Sequence, residues 1–302
     1  FANPWQVVFV WGERLLGRQR GSMFSWPDKW DAWPALLMFV IFAWVENVYG
    51  SGSRPLNLSI LILLYTTYTW LGMFLFGRHT WLKRGDPLAI LFALFARFSF
   101  TEARVVNREG QVSPCHACRS GCAQNSDLLD CIDCYECWEV AKTTDRQLCL
   151  RPWAAGLSRG ESVSDALVVF YVTILATVTF DGFAETWLWV SVQTFVFPFV
   201  DPLPGPAVSS IHTMGILLAP ALFAAVYFQI CEIVSRLSGL QMSTREVARS
   251  FVFSLVPIAL AYNLSHYLSF FLITGQQIVP LVSNPLGLDW DLFGTVDYLP
   301  NI

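Results

Sequence analysis

Eight cysteines occur in the chain, and six of them crowd between positions 115 and 137. Cys115, Cys118 and Cys122 follow a C-x2-C-x3-C pattern; Cys131, Cys134 and Cys137 follow C-x2-C-x2-C. A C-x2-C turn points both sulfurs at one centre, and two such knuckles complete a tetrahedral sulfur site of the zinc type. C-x2-C-x2-C is also the core spacing of iron–sulfur ligation. The spacing predicts zinc or an iron–sulfur cluster, with Cys115, Cys118, Cys131 and Cys134 as first ligands, Cys122 and Cys137 as alternates, and His116 able to replace one. The competing reading is a set of structural disulfides, for which the sequence fixes no pairing. Either way the segment has too few apolar residues to fold on a hydrophobic core, so cross-links should make it compact. The flanking acids Asp130, Asp133, Glu136 and Glu139 read as a solvated acidic face.

A second set of chemistry-bearing residues lies inside apolar runs: Glu46, Arg97, Asp181, Glu185, His212, Glu232 and His266, with Asn47 and Asn263 beside them. Ionisable groups in such runs are costly and often functional. Asn263 and His266 are three apart and share a helix face, as do Asp181 and Glu185 four apart. Two histidines and a carboxylate can hold a water-activating metal or a proton path. The alternative is that each pairs separately with a neighbour or a backbone carbonyl.

The elements that must position these groups are membrane helices. Hydrophobic residues make up 54% of the 302 positions and charged residues only 14%, against about 25% charged in a soluble domain. Net charge is −4, so no nucleic-acid partner is implied. The 13 Trp and 24 Phe suit aromatic belts at a lipid interface. Apolar runs cover about 34–49, 56–77, 87–100, 165–180, 187–200, 208–234 and 250–274, of lengths that mark spanning helices when near 20 residues. The expected fold is all-α: a polytopic transmembrane helical bundle of about six or seven hydrophobic segments with a cysteine-rich extramembrane loop.

The domain reading follows. Residues 1–33 form a cytoplasmic or interfacial segment, 34–100 three transmembrane helices, and 101–164 the cysteine-rich loop. Residues 165–274 hold further helices, including either a short crossing at 187–200 or a re-entrant hairpin over 165–200 turning near Asp181-Gly182. Residues 275–302 form an acidic extramembrane tail. Three segments are net basic: the N-terminal stretch, the loop with Arg78, Lys83 and Arg84, and the loop with Arg236, Arg245 and Arg249. The positive-inside rule places all three in the cytoplasm, and counting crossings from there puts the cysteine loop on the periplasmic side. The chain opens on Phe1 without a signal-peptide pattern and is expected to be part of a longer protein.

Several segments, taken together, carry a family resemblance. They include Trp81-Leu82-Lys83-Arg84-Gly85-Asp86, Arg151-Pro152-Trp153-Ala154-Ala155-Gly156-Leu157, Phe180-Asp181-Gly182-Phe183-Ala184-Glu185-Thr186, Tyr262-Asn263-Leu264-Ser265-His266-Tyr267 and Asn284-Pro285-Leu286-Gly287-Leu288-Asp289-Trp290-Asp291. Along nearly the whole chain apart from the cysteine loop, the sequence resembles the bacterial multi-pass membrane proteins labelled fenitrothion hydrolase. The resemblance implies a bacterial inner-membrane protein with further spanning helices before and after this part, and hydrolysis of an organophosphate-type ester. It supplies no catalytic residues. The metalloprotease pattern H-E-x-x-H does not occur in the chain.

Three functions are therefore in play. The chain is expected to be an integral membrane subunit of a larger redox or metal-handling assembly, with the lipid bilayer and other membrane subunits as partners. The alternatives are a membrane-embedded hydrolase and a transporter component.

Overall fold

The computed structural model describes residues 3–17, 22–51, 54–107, 110–113, 131–158, 163–202, 206–239 and 242–299, the side chains of His266, Ser269 and Phe270 excepted. It is mostly helical. In chain order the helices are α1 (Pro4–Leu15), α2 (Trp33–Asn47), α3 (Pro55–Phe76), α4 (Arg78–Arg84), α5 (Pro87–Phe95), α6 (Tyr135–Val140), α7 (Asp165–Ala184), α8 (Trp187–Val200), α9 (Ala207–Leu237), α10 (Thr244–Phe251), α11 (Val256–Thr274) and α12 (Ile278–Ser283). Strands β1 (Thr101–Val105) and β2 (Arg146–Leu150) flank α6.

Four elements are long and apolar enough to cross a bilayer: α3, α7, α9 and the stretch Thr244–Ser265 through α10 and α11. That is fewer than the apolar runs suggest. The run at 87–100 yields a nine-residue α5 and a short 3-10 turn; nine residues at 1.5 Å each rise about 14 Å, half a hydrocarbon core. Proline starts many of these helices: Pro4, Pro34, Pro55, Pro87 and Pro257 each occupy a first-turn position, where the missing N–H has no intrahelical partner to lose.

α7 is the middle of the bundle, packed by α2, α9 and α11, and its small and β-branched residues from Ala166 to Thr177 are largely buried. The bundle has two ends. At one, Ala32, Ala35, Ile90, Leu94, Phe98, Val163, Ala166, Val247 and Val252 belong to one core cluster. At the other, Ala43, Phe180, Trp189, Val200, Ala207 and Ile211 pack together. α2, α7 and α9 each contribute to both clusters. α8 does not: Trp189 near its start and Val200 at its end lie in the same cluster. The turn between α7 and α8 falls at Glu185-Thr186, where the Thr186 hydroxyl caps α8 at the Trp189 N–H. Asp181-Gly182 remains helical, in the last turn of α7.

The corner between α3 and α4 is built on glycine. Gly77 has φ +83° and lets the chain break direction. Trp81 then folds back on α3, where a Cβ on Gly72 would lie 2.0 Å from its ring and one on Gly85 2.6 Å. Trp26 and Phe76 close the aromatic cluster around it. Asp86, fully buried, caps α5 at the Ala89 N–H and accepts hydrogen bonds from Tyr65 and Thr69.

The expectation of an all-α fold fails in the cysteine loop. β1 and β2 pair antiparallel, with Ala103 opposite Leu148, and the segment around Ile132 bridges the other edge of β1 at Arg104. The physical reason is backbone satisfaction: a polar segment with no apolar helical stripe finds its hydrogen-bond partners in a neighbouring strand.

Candidate metal centre

β1 and α6 create the site. The Val105 N–H donates to the Cys131 carbonyl at 3.1 Å, the Cys131 N–H to the Ser113 carbonyl at 2.8 Å, and the Asp133 N–H to the Ala103 carbonyl at 2.7 Å. Asp133 turns the chain with φ +53°, and Cys134 is the N-cap residue of α6. One helical turn later Cys137 returns beside it. The three thiols are buried, at 2%, 8% and 5% exposure for Cys131, Cys134 and Cys137, and their sulfurs all lie within 4.8 Å of one another. Sulfurs bonded to one tetrahedral ion at 2.3 Å are about 3.8 Å apart, so a small inward shift completes three ligands. Among the described residues no two cysteines form a disulfide. Cys115, Cys118 and Cys122, with His116, lie outside the described residues.

Asp133 and Glu139 beside the triad are anchors and Glu136 is buried, which corrects their reading as a solvated face; Asp130 is outside the described residues. Asp133 accepts the Ala103 N–H at 2.9 Å and the Arg151 guanidinium at 2.6 Å. Arg151, with its side chain 4% exposed, also donates to the Ser99 and Ala96 carbonyls, each at 2.8 Å, and faces Glu102 at 3.8 Å. Glu102 is itself buried and paired with Arg104. Arg151 thereby ties the cysteine segment to the chain just after α5. On the other flank Glu139 of α6 accepts from Arg78 at 2.6 Å and contacts His79 Nε2 at 3.0 Å, while Arg78 reaches Glu13 at 3.3 Å. Burial, with the Arg78 charge, holds the His79 imidazole below its ordinary value against the pull of Glu136 and Glu139. Sequence reasoning missed these anchors, because nothing local marks Arg151 or Arg78 as partners of acids 18 and 61 positions away.

The second set of candidates is gathered only in part: Glu46 and Asp181 both lie close to Tyr267, while His212 and Arg97 make other contacts. Glu46, near the end of α2, accepts from the Tyr267 hydroxyl at 3.0 Å. Arg97 lies over the Phe253 ring at 4.4 Å and donates to the Gly156 carbonyl at 3.1 Å. His212 lies 2.7 Å from the Gln193 amide and 3.4 Å from the Trp189 indole nitrogen. Asn263 donates to the Ala259 carbonyl of its own helix. Asp181 is half-buried, Glu185 is exposed at the end of α7, and the His266 side chain lies outside the described set. Among the described residues the triad is the one group with metal-ligand spacing.

The sequence reading passed over one further pattern. Gly156-Leu157-Ser158-Arg159-Gly160 fits G-x-S-x-G. A nucleophile elbow needs a strand-to-helix turn, whereas Ser158 ends a 3-10 turn and its hydroxyl donates back to the Ala155 carbonyl at 2.9 Å.

No protein-family model, curated protein or solved structure matches the chain. The functional reading therefore rests on the geometry.

Proposed function

We propose that the chain is an integral membrane subunit of a metal-handling assembly, whose extramembrane module binds one soft divalent ion, zinc first, through Cys131, Cys134 and Cys137. The observation that carries the reading is the convergence of three buried sulfurs within 4.8 Å. That spacing favours one shared ion over a cubane, in which each thiolate bonds a different iron and the sulfurs splay wider. Thiolates select zinc and other soft ions over magnesium or calcium. The fourth ligand comes from the first cysteine cluster or from a metal-carrying partner. Four elements of spanning length support the membrane assignment, and a bacterial inner membrane with other membrane subunits remains the setting proposed. The hydrolase and transport readings require histidines and carboxylates to converge, and His212 is held by Gln193 and Trp189 whereas Glu46 is held by Tyr267.

Metal analysis of the purified full chain tests this. The expected result is close to one zinc per chain, released by a strong chelator, with a featureless visible spectrum. A visible charge-transfer spectrum with iron and sulfide would replace zinc with a cluster. Absence of any metal, with all three thiols labelling rapidly in the native protein, would sink the reading.

A further inference from the structure

The cysteine module and the basic loops meet at the same end of the bundle. Arg78 and His79, in the basic loop after α3, hold Glu139 of α6, and the His79 ring lies 5.8 Å from that of Tyr135. Independently, Arg249 of the second basic segment pairs with Asp165, the first residue of α7, at 3.0 Å. Val163, at the end of the cysteine loop, shares a core cluster with Val247 and Val252. These contacts cannot form across a bilayer.

α5 explains how the chain reaches this arrangement. Asp86 before it is anchored to the middle of α3 through Tyr65 and Thr69, and Ile90, Leu94 and Phe98 all lie in the core cluster that holds Val163 and Val247. Arg97 after it packs on Phe253, near the start of α11. α5 therefore enters and leaves at one end. α8 likewise keeps to the opposite end, so between residues 164 and 235 only α7 and α9 run the length of the bundle, and the chain returns to where it began.

Charge names the compartment. Among the described residues, the far-end connections are 48–51 with 54, 185–186, 201–202 with 206, and 275–299. Of the 19 Lys and Arg in the sequence only Arg54 falls there, against Glu185, Asp201, Asp289, Asp291 and Asp297. We propose that the module and its thiol triad face the cytoplasm, docked on the α3–α4 corner, rather than the periplasm that counting apolar runs suggests. A reducing compartment keeps thiols available for metal and disfavours disulfides. The cytoplasm is thus the source of the ion or cluster that the triad takes, and a cytoplasmic metal carrier is the class of partner that can reach it. The placement does not depend on the triad holding metal: a metal-free protein would sink the proposed function and leave the sidedness standing.

The native chain carries its own probes. Lys29, Lys83 and Lys142 are its three lysines, one each in the N-terminal segment, the loop after α3 and the cysteine module. An impermeant amine reagent is applied to right-side-out and to inverted membrane vesicles, with the sites read by peptide mass. All three lysines should label in inverted vesicles only, and an Asp201→Lys variant should add a site labelled in right-side-out vesicles only. Labelling of Lys142 in right-side-out vesicles while Lys83 is protected would overturn the shared face; labelling of both there would overturn the cytoplasmic assignment. The docking contact has its own check. Arg78→Glu and Glu139→Arg should each increase proteolysis within 131–158, and the double reversal should recover most of the protection. Independent, additive effects would overturn the dock.

Discussion

The bundle and the cysteine module are held together by different physics. In the bundle, α7 buries Phe170, Ile174, Val168 and Val172 almost completely, and its neighbours expose apolar faces such as Leu63, Leu64, Leu218 and Leu222 where a bilayer would cover them. Its cohesion is spread over many contacts. The module between β1 and β2 has a core cluster of three cysteines with Val105 against it, and its remaining order comes from strand hydrogen bonds and a few charged side chains with fixed partners. Distributed packing tolerates a single loss; a module built on a few anchors does not.

The sharpest break in that comparison comes from the thiols. Apparent zinc-binding free energies in small thiolate modules are on the order of 10 kcal/mol, so Cys134→Ser should abolish metal retention and open the module to protease, while Cys149→Ser and Cys231→Ser retain the metal. Metal content and limited proteolysis check this, and equal loss in all three variants would count against the triad. Arg151→Met comes next. It takes the cation away from Asp133, whose side chain is 33% exposed, and from buried Glu102, which keeps Arg104, so the loss should be about 2–3 kcal/mol, below that of a fully buried pair. Ile174→Val in the bundle core should cost only about 1 kcal/mol. Thermal unfolding of the two variants ranks them directly; a smaller effect for Arg151 would erase the contrast.

The α3–α4 corner joins the two regions and gives an intermediate effect. Gly72→Ala drives a methyl into the Trp81 ring and should cost about 1–3 kcal/mol by overpacking. Gly12→Ala, in a helix with nothing within 4 Å of the new methyl, should be neutral or slightly stabilising. The smallest effect is a pH dependence. The folded protein binds a proton at His79 less readily than the unfolded chain, whose imidazole titrates near 6.5. Stability from this group is therefore complete above about pH 6.5 and falls as pH drops below it. Comparing the slope of midpoint against pH for the native chain and His79→Gln isolates it; an unchanged slope would assign the dependence elsewhere.

Much of this molecule was written locally. Runs of apolar residues near 20 long specify the helices α3, α7 and α9, because backbone polar groups surrounded by apolar side chains are satisfied within the helix itself. Cysteine spacing placed Cys131 and Cys134 together, because two intervening residues allow a single turn to bring consecutive sulfurs together; Cys137, expected only as an alternate, joins them in the structure. Hydropathy could not distinguish α5 and α8 from crossings, since a short apolar helix has the same composition as a spanning one and differs only in length, here nine and 14 residues. Only tertiary structure decided that Asp133 and Glu139 are anchors, that His212 and Glu46 lie in separate contacts, and that Arg78, His79 and Arg249 share an end with the cysteine module. Each of these depends on a partner tens to hundreds of positions away, and side-chain pairing at such separation is set by how the helices pack, which no local pattern of residues records.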